Sequence, residues 1–440
     1  MKRRDFMSVG AVIGSGLLTA PVPASESAVN SAPLRAALVG CGRQGRTIIN
    51  AGLKIPNLRF AALCDIQPTA LKSAKLFLES EDVETAGYSD CREMFGNEKG
   101  KIDAVIIASP DCFHTEQTLA ALEVGLHVYC EAPMAVNAED ARKMLNAAKS
   151  AKRFLQIGFV RRSDPRYRHT AEKLLNPDSL PVLIGKITHF ETQANRRIHS
   201  ELIWSKRDTL TPELLDRYGF KSMEEYRNWR EFRKYGSGAC LFYLAQQLDV
   251  FQWFFNIRPS KIQAMGGLDY YKFGNGIDNV SALLAYPFPQ GMVRGISRVW
   301  TTTSGGGNVP FEHIFGEFGS LQTSLSESAF RVHAEPGLAK WSEFVRRGDL
   351  KKENAAAEGE DPNLIKVRET GNVVPYLVPL ERPDSVFRLH LSNFVNTVFG
   401  KENLHCSGED AFPSHIIAWK VAEAVESSTS LELTEEMFRV

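Results

Sequence analysis

Residues 34–65 read LRAALVGCGRQGRTIINAGLKIPNLRFAALCD, and the order of residue types in that run leaves little choice of local fold. The apolar stretch at 34–39 has the length of a buried parallel strand. Gly40, Gly42 and Gly45 then space a G-x-G-x-x-G turn into a helix, with Arg43 and Gln44 inside it. The first glycine permits the tight turn, the second lets backbone approach a pyrophosphate, and the third lets helix pack close on strand. The helix N-terminus offers free N–H groups and a positive dipole end to phosphate. A second apolar strand, 60–64, ends in Asp65, about 20 residues past the last glycine, where a carboxylate accepts from the ribose hydroxyls of adenosine. Glycines also mark ordinary βα turns, but strand, triplet, helix, strand and acid in one unit predict a dinucleotide site. Asp65 favours NAD over NADP, because it would repel a 2′-phosphate.

The chain has 440 residues, 43% hydrophobic and 24% charged, enough for two domains with separate cores. Its formal net charge is zero, which gives no electrostatic footprint for nucleic acid or an anionic membrane, so a small or neutral ligand is expected. The seven cysteines are scattered, mostly in apolar runs, with neither a disulfide framework nor a metal spacing, and read as buried thiols. At the start, MKRRDFM is followed by a weakly apolar, glycine-rich stretch and PVPASES. Paired Arg3 and Arg4, a short apolar run and a small-residue exit resemble a twin-arginine export signal with cleavage near Ala24. The run is too short to span a bilayer as a helix. Residues 1–30 are therefore expected to be signal and linker, and the mature protein periplasmic or otherwise exported.

Periodicity divides the rest. Strands at 104–108, 127–130 and 154–158 alternate with helices at 68–79, 116–124 and one capped by Asn137, which predicts an α/β Rossmann domain over 34–158 with a parallel sheet. Ligands of such sheets sit beyond the strand C-termini, near Ser109, Pro110, Glu131 and Arg161 or Arg162. From 159 to 440 the pattern changes to alternating runs at 183–192, 261–267, 280–286, 292–300 and 321–325, interrupted by a helix at 239–255. An acidic surface excursion is expected at 351–361. This second domain reads as α+β with an open, mostly antiparallel sheet.

VGCGRQG with Cys64-Asp65, ASPDCFH (108–114), CEAPMA (130–135), QIGFVRRSDPRY (156–167), GSGACLFYLAQQLDVFQW (236–253) and IFGEFGSL (314–321) together resemble the Gfo/Idh/MocA family across nearly the whole chain. The resemblance implies a Rossmann domain joined to an open-sheet domain, NAD or NADP as cofactor, homo-oligomers through the open sheet, and oxidation or reduction of a carbohydrate or polyol. It extends the cofactor wall to His114 and Pro133.

The departures are selective. The family pattern would read E-K-P, with a lysine that helps polarise the reacting hydroxyl, and this chain has Glu131-Ala132-Pro133. The family's aspartate and histidine, four residues apart on one helix face, are here Phe242 and Gln246. A positioned acid or base typically contributes roughly 10²- to 10⁴-fold, so substitutes are expected or the chemistry differs. Gln246, Tyr243, His199 and Lys206 are the catalytic candidates, His199 and Lys206 lying with Asn195, Arg196 and Arg197 in the loop expected after the 183–192 strand. Arg161, Arg162, Asn195, Trp229 and Asp249 are substrate candidates, with Trp204 and Tyr167 as further stacking surfaces and Arg230 as a further hydroxyl partner. Asp249 also fits a structural role. Three functions remain open at this point: an exported sugar or polyol oxidoreductase, a redox-neutral glycosidase with a resident cofactor, and a non-catalytic nucleotide- and sugar-binding module.

Overall fold

The computed structural model describes residues 32–175, 183–197, 201–236, 238–271, 273–302, 309–335, 341–353 and 375–440. The export segment, His199 and most of the 351–361 stretch lie outside them.

The first domain alternates strand and helix. Strands β1 (Leu34–Val39), β2 (Leu58–Cys64), β3 (Ala86–Tyr88), β4 (Ala104–Ile107), β5 (His127–Cys130) and β6 (Leu155–Ile157) are separated by helices α1 (Arg43–Gly52), α2 (Pro68–Ser80), α3 (Cys91–Asn97), α4 (His114–Glu123) and α5 (Ala138–Ala151). The strands pair in parallel in the order β3-β2-β1-β4-β5-β6. β1 and β4 are buried on both faces because helices cover both, which is why they read as continuous apolar runs. α5 starts where the sequence places it, with the Asn137 side chain accepting from the Asp140 N–H at 2.8 Å. The order reverses between β1 and β4, and the crevice outside the strand ends at such a switch point is where ligands of doubly wound sheets bind.

After α6 (Pro165–His169) comes β7 (Ile187–Arg197), then a helical segment with α7 (Pro212–Arg217), α8 (Met223–Arg227) and α9 (Arg233–Gly236), and the long α10 (Ala239–Phe255). Strands β8 (Lys261–Gly267), β9 (Asn279–Phe288), β10 (Gly291–Thr302), β11 (Phe311–Gly316), β12 (Gly319–Thr323) and β13 (Arg331–Ala334) follow, then α11 (Ser342–Arg346), β14 (Lys351–Lys352), β15 (Tyr376–Leu377), α12 (Val386–Val398), α13 (Gly408–Ser427) and β16 (Leu431–Glu432). The ten strands order as β14-β15-β13-β12-β11-β7-β10-β9-β8-β16. The sheet is mixed: β7 and β10 run parallel, and its other pairs are antiparallel. One face is packed by α10 and α13. Phe190 of β7 stacks on Phe251 of α10 at 3.9 Å between ring centroids. The opposite face leaves Met265, Leu283, Ile296 and Trp300 exposed.

Two expectations need correction. β7 runs to Arg197, so Asn195, Arg196 and Arg197 are strand residues, not loop. α12, from the chain region expected in the second domain, packs on the first: its Leu391, Phe394 and Val395 share a buried cluster with Leu38, Ile48 and Tyr129.

Candidate functional site

The glycine turn is built as its spacing requires. Gly40 has φ +94°, and a Cβ there would lie 2.6 Å from the Ala108 carbonyl group. A Cβ on Gly45 would fall 1.9 Å from the Gly40 oxygen, so the contact between helix and turn tolerates no side chain. Gly42 is different: a Cβ there would meet no protein atom within 4 Å. The backbone there stands open to an approaching pyrophosphate. Gly42 is also the N-cap of α1 and makes no side-chain cap hydrogen bond, leaving first-turn N–H groups for an anion. These features fit a dinucleotide.

Asp65 closes β2 and is tied at both oxygens, Oδ2 accepting from the Cys41 N–H at 2.6 Å and Oδ1 from the Gln67 N–H at 2.7 Å. Each oxygen keeps a second lone pair for a ribose hydroxyl. Burial pushes this carboxyl up, against the downward pull of the two backbone donors. A cavity of about 1000 Å³ opens beside Gly42 and carries five cations, Arg43, Arg46, Lys72, Arg207 and Arg227. Across this end, the Asp208 carbonyl accepts from Gln67 Nε2 at 2.9 Å, and its carboxylate accepts from the Thr69 hydroxyl at 2.7 Å. A segment from the second domain thereby clasps the loop that carries Asp65. Lys206 belongs to this clasp and is exposed, which puts it at the ribose end rather than against the reacting carbon.

At the other end stand the termini of β4 and β5. Glu131 accepts at Oε1 from Gln44 Nε2 of α1 at 3.0 Å and from the Tyr129 hydroxyl at 3.4 Å, and burial pushes its carboxyl up to about 7. Asp111, absent from the sequence-derived candidates, is 2% exposed, its Oδ2 has no hydrogen-bond partner among the described residues, and burial raises its carboxyl well above the usual range. The aspartate after Ser109-Pro110 was its only sequence signal. Ser109 donates its hydroxyl to Gln117 at 2.6 Å, and Pro110 caps the 3-10 turn that follows. His114 is 1% exposed and bridges loops: its Nδ1 lies 2.8 Å from the Pro133 carbonyl and its Nε2 3.0 Å from that of Ser109. Burial pushes its pKa down to about 4, so the neutral ring donates to one of the two and holds the loops after β4 and β5 together instead of facing a ligand.

The second domain contributes α10. Gln246 is half-buried on it and accepts a hydrogen bond from Arg161 at Oε1, leaving its Nε2 as a directed donor. Arg161 is held in turn by Glu312 at 3.4 Å, and Glu312 accepts from the Tyr167 hydroxyl at 2.8 Å and from Thr323 at 2.9 Å. Tyr167 is thus core, not a stacking surface. Arg161 positions Gln246.

Other substrate candidates are consumed internally. Arg162 makes a bidentate pair with Asp249, both contacts 2.9 Å, and Ser414 donates to the same carboxylate at 3.0 Å. With 4% and 1% exposure respectively, Arg162 and Asp249 join the domains and cannot reach a ligand. Arg196 is buried against Glu231 at 2.8 Å. Asn195 has the opposite strand parity from Thr192, whose hydroxyl reaches Gln247 of α10, so it points to the far face of the sheet beside Trp300. Tyr243 is half-buried and packs edge-on against Phe242. Trp229 is half-buried with the Arg230 guanidinium stacked on it, 4.6 Å from the ring centroid.

Fold and site together define a two-domain protein whose first domain is an NAD-binding Rossmann domain. Residues 34–159 match the oxidoreductase family with NAD-binding Rossmann fold, GFO_IDH_MocA. Among characterised relatives, the chain is 34% identical over 173 residues to D-glucoside 3-dehydrogenase of Escherichia coli (strain K12), covering 39% of this chain and 46% of that one. It is 33% identical over 139 residues to inositol 2-dehydrogenase of Salmonella typhimurium (strain LT2), covering 30% and 39%. The chain therefore spans less than half the length of these relatives. The crystal structure of scyllo-inositol dehydrogenase from Lactobacillus casei, with bound NAD(H) and scyllo-inositol, superposes with a TM-score of 0.60 at 20% identity over 91% of this chain and 99% of that one, and shows the shared fold.

Proposed function

We propose that this protein is an NAD-dependent oxidoreductase acting on a hydroxyl-bearing carbon of a sugar, polyol or glycoside, with Gln246 and Glu131 taking over the roles of the family's missing lysine, aspartate and histidine. The observation that carries this reading is the Gln44–Glu131 hydrogen bond. It joins the first turn of the phosphate-binding helix to a carboxyl that burial brings to about 7. Bound NAD would supply the hydride acceptor. Gly42 and the first turn of α1 would hold its pyrophosphate and Asp65 its ribose. Gln246 Nε2 would donate to the oxygen on the reacting carbon, oriented by Arg161, and Glu131 would take the hydroxyl proton, its pKa lying near the operating pH. The named substrates of D-glucoside 3-dehydrogenase and inositol 2-dehydrogenase support a carbohydrate or polyol.

A second reading, a redox-neutral glycosidase with a cofactor that stays bound, is favoured by the Asp208 clasp on Gln67 and Thr69. The twin-arginine-like start would favour it further, since an exported enzyme has no NAD pool. The exposed Met265, Leu283, Ile296 and Trp300 support association of copies through the open sheet. The test is to purify the protein, denature it, and count released nucleotide by mass spectrometry, then screen sugars, polyols and glycosides for reduced-nicotinamide absorbance. Near-stoichiometric NAD with turnover independent of added NAD supports the second reading. Turnover that follows added NAD supports the first, and nucleotide-free protein with no turnover refutes both.

A further inference from the structure

The segment between β7 and α10 is a small body with its own core. Leu210, Leu215, Phe220, Met223 and Tyr235 pack with Ile66 and Phe113 of the first domain. It is also tied to the loop before α3: Tyr218 donates to the Ser89 carbonyl at 3.1 Å, and Arg217 pairs with Asp90. Arg230 rides on this body, in the 3-10 turn Trp229–Glu231. That turn is anchored by the Glu231–Arg196 pair and by the N–H groups of Asn275 and Gly276 donating to the Glu231 carbonyl.

The Arg230 guanidinium lies 4.6 Å from the Trp229 ring centroid and 5.4 Å from that of Phe242 on α10. The side chain is exposed and donates no hydrogen bond to the described residues. Its charge reaches Asp111, His114 and Glu131, so it lies near the loops that follow β4 and β5. Neither carboxyl there neutralises it through a hydrogen bond: Glu131 is engaged by Gln44 and Tyr129, and Asp111 Oδ2 has no hydrogen-bond partner among the described residues.

We propose that Arg230 is a substrate-recognition residue and that the cleft takes a sugar bearing a carboxylate, bound by the free edge of this guanidinium. Held beside two aromatic rings and donating no hydrogen bond to the described residues, the group keeps its planar N–H fork available, and such a fork matches a carboxylate through two parallel hydrogen bonds. A neutral hydroxyl would use one donor and leave the charge uncompensated. Phe242 thus acquires a function: an aromatic face at that position supports the cation.

This inference rests on the cleft being the sugar site, and the experiment separates the two. The nucleotide content of the purified full chain is measured first. Calorimetric titrations then compare sugars that differ only in a terminal CH₂OH or carboxylate, glucose with glucuronate and galactose with galacturonate. At least one acid is expected to bind tighter than its neutral partner. Arg230→Gln should weaken that acid by roughly ten- to a hundredfold and erase the preference, as loss of a charged hydrogen-bond pair implies. Arg230→Lys should keep part of it, because charge survives and the fork does not. Nucleotide content should be equal in all three proteins. If neither pair favours the acid, or if the preference survives Arg230→Gln, the proposal is overturned. A nucleotide-free wild type that still prefers acids would refute the oxidoreductase reading and leave this one standing.

Discussion

Asp249→Ala should destabilise the protein by about 3–5 kcal/mol, the range for removing one partner of a buried ion pair. The size follows from what remains. Arg162 loses both 2.9 Å contacts of its fork and keeps a 3.2 Å hydrogen bond to the Asp410 carbonyl and a long, 3.9 Å ion pair with the half-exposed Asp410 carboxylate, while Ser414 loses its 3.0 Å acceptor. With 4% exposure, the guanidinium gains no water in exchange. Urea unfolding followed by circular dichroism measures the loss. The double variant Arg162→Met/Asp249→Leu provides the decisive comparison. Two apolar residues of similar volume leave no orphaned charge, so the double variant should recover most of the loss despite carrying more substitutions. A single-variant loss below about 1 kcal/mol, or a double variant as unstable as the sum of the singles, would refute the assignment of this pair to structure. Weaker sugar binding at unchanged stability would return Asp249 to the substrate site.

Gly42→Ala and Gly45→Ala should separate binding from folding. The first meets no atom of the described residues and should lose nucleotide affinity while leaving the urea midpoint of the nucleotide-free protein unchanged, whereas the second drives a methyl to 1.9 Å from the Gly40 oxygen and should lower that midpoint as well. Glu131→Gln should remove a pH dependence. Folded Glu131 keeps its proton up to about 7 while an unfolded glutamate releases it near 4.5, so the folded state holds the extra proton between those values and wild-type stability falls as pH rises through that window. The shift corresponds to about 3 kcal/mol. The wild type should therefore lose stability relative to the variant as pH rises from 4.5 to 7, and parallel profiles would count against a raised Glu131. Asp208→Ala opens the clasp on Gln67 and Thr69 and should speed nucleotide release in stopped-flow exchange with a fluorescent analogue. An unchanged release rate would show that the clasp does not retain the cofactor.

The Rossmann half was legible because its signals are local. Apolar runs, the glycine spacing and Asp65 lie within one strand-turn-helix-strand unit, so sequence distance and spatial distance coincide there. The helix at Ala239–Phe255 and the strand at Lys261–Gly267 were equally plain, each carrying its own period. The positions Phe242, Gln246 and Glu131, where the chain departs from or keeps the family pattern, could also be named from the chain. What a polar side chain faces is a different kind of question. Arg162 and Asp249 are 87 residues apart, and only tertiary packing turns them toward each other and away from the cleft. Asn195 changed sides because β7 extends further than its apolar pattern suggested, and parity along a strand then decides the face. Arg230 and Asp111, 119 residues apart, come near each other only because the segment after β7 packs on Ile66 and Phe113 of the first domain. The sequence by itself thus determined the backbone that can hold a dinucleotide, since short-range sterics and periodicity suffice for that. Which charges are buried in pairs and which stay free for a ligand was decided by the tertiary structure, because electrostatic pairing depends on distances that residue order does not encode.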